Sequence, residues 1–89
     1  MMKIKKGFAL RNIAGCEIVV PVGTASDSFN GMITLNDSAA FFWTLLQKET
    51  TVDEMVDKTL SEYEIDYATA RKDIEAFVAT LRENNILDE

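Results

Sequence analysis

The chain has 89 residues, enough for one small domain, and its 47% hydrophobic residues can supply a single modest core. The formal net charge of −6, from 9 basic and 15 acidic residues, argues against nucleic acid as a partner, because such binding rests on neutralising phosphates. Without histidine and with one cysteine, Cys16, the sequence has no internal disulfide and no imidazole for metal ligation, triad chemistry or proton shuttling near neutral pH.

Met1 to Lys6 is polar and basic with no apolar segment behind it, and no run approaches the roughly 18 to 20 apolar residues that cross a bilayer. A cytoplasmic protein with no membrane partner is expected, with Lys3, Lys5 and Lys6 on a solvated terminus. Phe8 to Ile13 is a short mixed strand, and Ala14-Gly15 offers a tight turn because glycine tolerates positive φ. The next strand, Cys16 to Val22, is rich in β-branched residues. Period two sets Cys16, Ile18, Val20 and Val22 on one side, with Cys16 read as a small buried hydrophobe. Pro21 has no amide donor, so it must face away from a ladder bond or mark a bulge. Gly23 to Asn30 is loop chemistry. A third strand, Met32 to Leu35, follows Gly31 and runs directly into Asn36, a good helix N-cap.

The first helix is predicted from Asp37 to Gln47. Ala39, Ala40, Phe41, Phe42, Trp43, Leu45 and Leu46 make it apolar nearly all round, the pattern of a buried central helix. Thr51 and Glu54 have capping-box spacing for a second helix, in which Val52, Met55, Val56, Thr59, Leu60 and Tyr63 recur at three and four residues. After a turn at Glu64 and Ile65, Asp66 caps a third helix with the apolar stripe Ala70, Ile74, Phe77 and Leu81; Ile86 and Leu87 close the tail. Three strands followed by three helices in so short a chain predict one α+β domain over residues 1–89. Its architecture is winged helix-turn-helix-like, a three-stranded antiparallel sheet followed by three helices.

Gly31, Leu35-Asn36, Trp43, Leu45-Leu46, Thr51, Tyr63, Asp73, Phe77, Leu81 and Ile86-Leu87 carry a family likeness over nearly the whole chain. In spacing and residue type they resemble the PqqD family, named for a protein of pyrroloquinoline quinone biosynthesis, whose fold is also called the precursor-peptide recognition element. The resemblance implies a non-catalytic module without a cofactor. Such a module binds the leader segment of a precursor peptide as an added strand between strand three and helix three. It also implies a modifying enzyme as partner, commonly a radical S-adenosylmethionine enzyme. Cys16 has no counterpart in that pattern.

Carried over by position, the resemblance sets the groove on Met32, Ile33, Thr34 and Leu35 and on the flank of helix three at Arg71, Ile74, Glu75, Val78 and Arg82. An unpaired sheet edge supplies main-chain hydrogen bonds to an extended peptide while alternate side chains supply selectivity. An exposed Val78 flanked by arginines would suit a peptide with apolar and acidic side chains. The bland alternative is a solvated flank with an Arg71–Glu75 pair. A winged-helix DNA-binding regulator is the competing reading. Its weakness is a third helix that sets Arg71, Lys72 and Arg82 beside Asp73, Glu75 and Glu83. An enzyme has little to build on without histidine or a clustered polar motif. The free edge and the Gly23–Asn30 loop also permit a homodimer by strand exchange.

Overall fold

Residues 1–22 and 33–89 are described by a computed structural model, and they begin with a strand where the basic composition predicts a solvated terminus. Strand β1 (Lys3–Ile4) pairs antiparallel with β5 (Leu87–Asp88), Lys3 opposite Asp88 and Ile4 opposite Leu87. The Met2 and Thr50 amides each donate to the other's carbonyl at 2.9 Å, and the Ile4 amide donates to the Leu46 carbonyl at 2.9 Å. Met2 and Ile4 are buried between lysines that face outward. Their period-two alternation spans too few residues to stand out among three lysines.

Strands β2 (Phe8–Ile13) and β3 (Cys16–Pro21) form the hairpin expected around Ala14-Gly15. Both turn residues have positive φ, 54° and 83°, the pattern of a type I′ turn whose twist matches the strands it joins. The Val22 amide donates to the Gly7 carbonyl at 2.7 Å. Because antiparallel pairs alternate, Ala9–Val20, Arg11–Ile18 and Ile13–Cys16 are then the hydrogen-bonded pairs within the hairpin. The odd-numbered residues of β3 therefore turn their backbone groups toward β4 (Ile33–Leu35), where Val19 faces Ile33 and Glu17 faces Leu35. Pro21 belongs to the odd set, so its missing N–H lies on the β4 side, past the described end of that strand. The loop expected at Gly23–Asn30, with Gly31 and Met32, falls outside the described residues.

The inward face of this sheet is the opposite of the one predicted for β3. Val19 is fully buried and shares its face with Leu10, Ile33 and Leu35, whereas Cys16 is exposed. Ile18, Val19 and Val20 are apolar in succession, so alternation within β3 alone does not decide which side is core. The cross-strand register with Leu10 and Leu35 decides it.

The three helices follow their predicted caps. Helix α1 (Asp37–Leu45) starts where Asn36 Oδ1 accepts the Ala39 amide at 2.8 Å. It ends before the predicted Gln47 because the Leu46 amide is shared between the Phe42 and Trp43 carbonyls, tightening the last turn. Phe42, Trp43 and Leu46 are buried. Helix α2 (Val52–Glu62) is capped by Thr51, whose Oγ1 accepts the Glu54 amide at 3.2 Å, while the Glu54 carboxylate accepts from Thr50 Oγ1 at 3.1 Å. Met55, Val56 and Thr59 are its buried face, and Thr59 Oγ1 donates to the Met55 carbonyl at 2.7 Å. Helix α3 (Tyr67–Glu83) buries Ala70, Ile74, Phe77 and Leu81 as the stripe predicts, and Val78 with them. Ile86 closes the core, its amide bound to the Leu81 carbonyl at 2.9 Å. Among the described residues no helix is long and apolar enough to cross a membrane.

Ile74 is fully buried among these elements. Replacing it with alanine deletes packed methyl groups, and an Ile74→Ala variant is expected to lose about 2–5 kcal/mol in urea unfolding. That is a large share of the roughly 5–15 kcal/mol that keeps a domain folded. A loss under about 1 kcal/mol would show that the α3 stripe is not close-packed.

Candidate functional site

Strand β4 pairs with β3 along one side only among the described residues. Ile33 and Leu35 turn their amides and carbonyls toward β3, so the alternation leaves the N–H and C=O of Thr34 directed at the open edge. The side chains alternate as predicted: Leu35 is buried, Ile33 half-buried and Thr34 exposed. Asn36 is the single residue between β4 and α1, so the edge leads straight onto the α1 N-terminus.

Helix α3 stands across from that junction. Between them lies a groove of about 290 Å³, lined by Asn36, Ala39 and Phe42 on one wall and by Asp73, Ala76, Phe77 and Thr80 on the other. Its floor is the ring pair Phe42–Phe77, with centroids 5.9 Å apart. A smaller hollow of about 180 Å³ continues from it, sharing Ser38, Phe42 and Asp73 and bounded by Thr59, Tyr63, Glu64 and Ile65 from the end of α2 and the turn into α3. Tyr63 is held there edge-on against Phe41, with centroids 5.2 Å apart and planes at 75°. At about 290 and 180 Å³ the two hollows are of a size to hold side chains of an extended chain.

The helix residues predicted for the groove are divided by the structure. Ile74 and Val78 are core, and the exposed Val78 expected from sequence is 3% accessible, because residue 78 is four positions after Ile74 and three before Leu81 and so shares their face of the helix. Arg71 faces α2: Nη1 donates to Asp53 Oδ1 at 2.7 Å and to the Tyr67 hydroxyl at 3.1 Å, while Nε meets Glu75 Oε1 at 2.9 Å. The Asp53 bond, then Tyr67, raises the Arg71 pKa further above its ordinary value. Arg82 is bound by Glu89 through two hydrogen bonds of 2.9 and 2.7 Å, which raise its pKa and lower that of Glu89. Met32 falls outside the described residues. Ile33, Thr34 and Leu35 lead into the groove's wall at Asn36 without lining it themselves, whereas Arg71, Glu75 and Arg82 line other surfaces.

Sequence reasoning missed Asp73, Ala76 and Thr80 as the α3 wall. The signal was a small residue at Ala76 between polar residues three before and four after it, next to Phe77. Such spacing leaves room over an aromatic ring. No lysine or arginine lines either hollow among the described residues, so the groove is neutral to acidic. The acidic-peptide preference inferred from Arg71 and Arg82 therefore has no charged partner there.

An open-edged sheet packed on a helix-turn-helix, with a groove between the start of α1 and the third helix, defines a winged-helix domain. The model of the family described as coenzyme PQQ synthesis protein D (PqqD) matches residues 16–87, and the chain belongs to that family. Two solved structures share the fold at 22% sequence identity. The structure of TbiB1 in complex with the TbiA(beta) leader peptide has a TM-score of 0.74 and covers 97% of this chain and 94% of that one. Lasso peptide synthetase B1 complexed with the leader peptide has a TM-score of 0.76 and covers 99% and 98%. No curated protein matches the chain.

The α3 wall depends on its N-cap. Asp66 accepts from Thr69 Oγ1 at 2.7 Å and from the Thr69 amide at 3.1 Å, and these bonds lower its pKa below the ordinary 3.8. A lowered folded-state pKa means that the stabilisation is complete above the unfolded value and is lost as pH falls through the folded one. The Thr69 amide proton shift is therefore expected to titrate with a midpoint below 3.8, and Asp66→Asn should remove the titration while keeping the cap. A midpoint at or above the ordinary value would contradict the capping account.

Proposed function

We propose that this chain is a non-catalytic leader-peptide recognition module. An extended segment of a ribosomally synthesised precursor peptide adds to β4 as a further strand, lies in the groove against α3, and is presented to a separate modifying enzyme. Family membership supports a radical S-adenosylmethionine enzyme as that partner and a cytoplasmic setting. The observation that carries the reading is the outward-facing backbone of Thr34, two residues before Asn36, which lines a groove sized for side chains. Strand addition satisfies the edge and buries apolar side chains over Phe42 and Phe77 in one step. The leader peptides in the two similar structures support the same occupant.

On this reading Ile33, Thr34 and Leu35 contribute backbone pairing, and Asp73, Ala76 and Thr80 contribute side-chain contacts. Arg71, Glu75 and Arg82 lie off the path. A heteronuclear NMR titration with the leader peptide encoded beside the gene is expected to move the amides of Ile33–Leu35 and of Asp73–Thr80. Thr34→Pro removes the outward donor without touching the β3 ladder, as edge strands tolerate, and should weaken binding about tenfold. Ala76→Trp fills the groove from an exposed position and should weaken it at least as much, whereas Arg71→Met should leave it within about twofold. If Arg71→Met abolished binding and Ala76→Trp did not, the peptide would lie on the opposite flank of α3.

A further inference from the structure

The smaller hollow at the end of the groove has a chemistry of its own. Its floor and walls are Phe42, Ile65, the buried Thr59 and the ring of Tyr63, and its rim carries two carboxylates from different elements, Glu64 in the α2–α3 turn and Asp73 on α3. The Thr59 hydroxyl is already committed to the Met55 carbonyl. Tyr63 is braced by Phe41, which fixes its ring as a wall. No cation among the described residues lines the hollow, and the nearby arginines are engaged elsewhere, Arg71 with Asp53 and Glu75 and Arg82 with Glu89. An apolar slot with an aromatic wall and an anionic mouth matches a long side chain with an alkyl stem and a cationic head.

Resting on the strand-addition reading, we infer that this hollow is a subsite for one arginine or lysine side chain of the bound leader, just outside the segment paired with β4. The stem lies on Phe42 and Ile65, and the head meets Asp73 and Glu64 beside the face of Tyr63. A guanidinium is favoured over an ammonium, because a planar fork can stack on the ring and bond a carboxylate at once. The volume of about 180 Å³ holds one side chain and not a second strand. The subsite makes leader choice depend on charge, with a sign opposite to the one Arg71 and Arg82 suggest in the sequence.

The subsite can be tested without the natural leader. The ¹⁵N-labelled protein is titrated with N-acetyl-arginine-N-methylamide, and separately with the norleucine and glutamate analogues. The arginine probe is expected to shift the amides of Ser38, Thr59, Glu64 and Asp73, with smaller shifts for norleucine and none for glutamate, and raised salt should weaken the arginine effect. Glu64→Gln and Asp73→Asn alter exposed residues, so the fold should hold. Each is expected to weaken the arginine probe about two- to fivefold, and the double variant should bring it down to the norleucine level. Equal shifts for arginine and glutamate, no shifts with arginine, or an unchanged response in the double variant would overturn the subsite. The leader titration at Ile33–Leu35 reports strand addition independently: β4 shifts with no cation preference sink this inference alone, and a cation response with silent β4 amides sinks the strand-addition reading on which it rests.

Discussion

The arrangement depends on one short hydrogen bond, from the Ala39 amide to Asn36 Oδ1 at 2.8 Å. With a single residue between β4 and α1, this cap fixes the angle at which the edge strand turns into the helix, and satisfies an amide that the first helical turn leaves without an intrahelical partner. The direction of α1 then sets where Phe42 meets Phe77, and so how far α3 stands from the edge. The groove is the space left between this junction and α3. Were Asn36 followed by a longer connection, α1 could roll toward the strand and close the space.

The helices were legible because their information is local. Asn36, Thr51 and Asp66 each cap the helix that begins one residue later, and the apolar spacing within α2 and α3 agrees with the buried faces. The hairpin was legible for the same reason, through Ala14-Gly15. What failed was information carried by distant partners. The inward face of β3 is fixed by Leu10 and Leu35 across the ladder, and an apolar triplet at Ile18, Val19 and Val20 conceals it. Met2 and Ile4 are buried because Thr50, Leu46 and Leu87 lie beside them, and nothing in the first six residues reveals those neighbours.

The same distinction explains the division of the predicted site. Strand alternation and sequence position suffice to name Ile33, Thr34 and Leu35 as an edge, and among the described residues β4 is one. On the α3 flank the charged residues draw attention while their partners are remote in sequence: Asp53 is 18 positions from Arg71, and Glu89 is 7 from Arg82. Those pairs also bear on the DNA-binding alternative, since phosphate neutralisation draws on cations free to exchange their counterions. Two of the three basic residues of α3 already hold carboxylates, and the α3 wall of the groove contributes Asp73. On the strand-addition reading, the third helix of this winged-helix scaffold serves a peptide groove rather than a DNA groove. That accords with function residing in the site rather than in the fold.

Backbone pairing supplies only part of what holds an added strand. Among the described residues of β4 only Thr34 offers both its amide and its carbonyl outward, and net gains of about 0.5–1.5 kcal/mol per hydrogen bond cannot by themselves offset the ordering of an extended peptide. On the strand-addition reading, much of the burden of recognition therefore falls to side chains. On that reading the groove does the selecting, its apolar floor of Phe42 and Phe77 and the carboxylate of Asp73 being the surfaces offered to the side chains of an added strand.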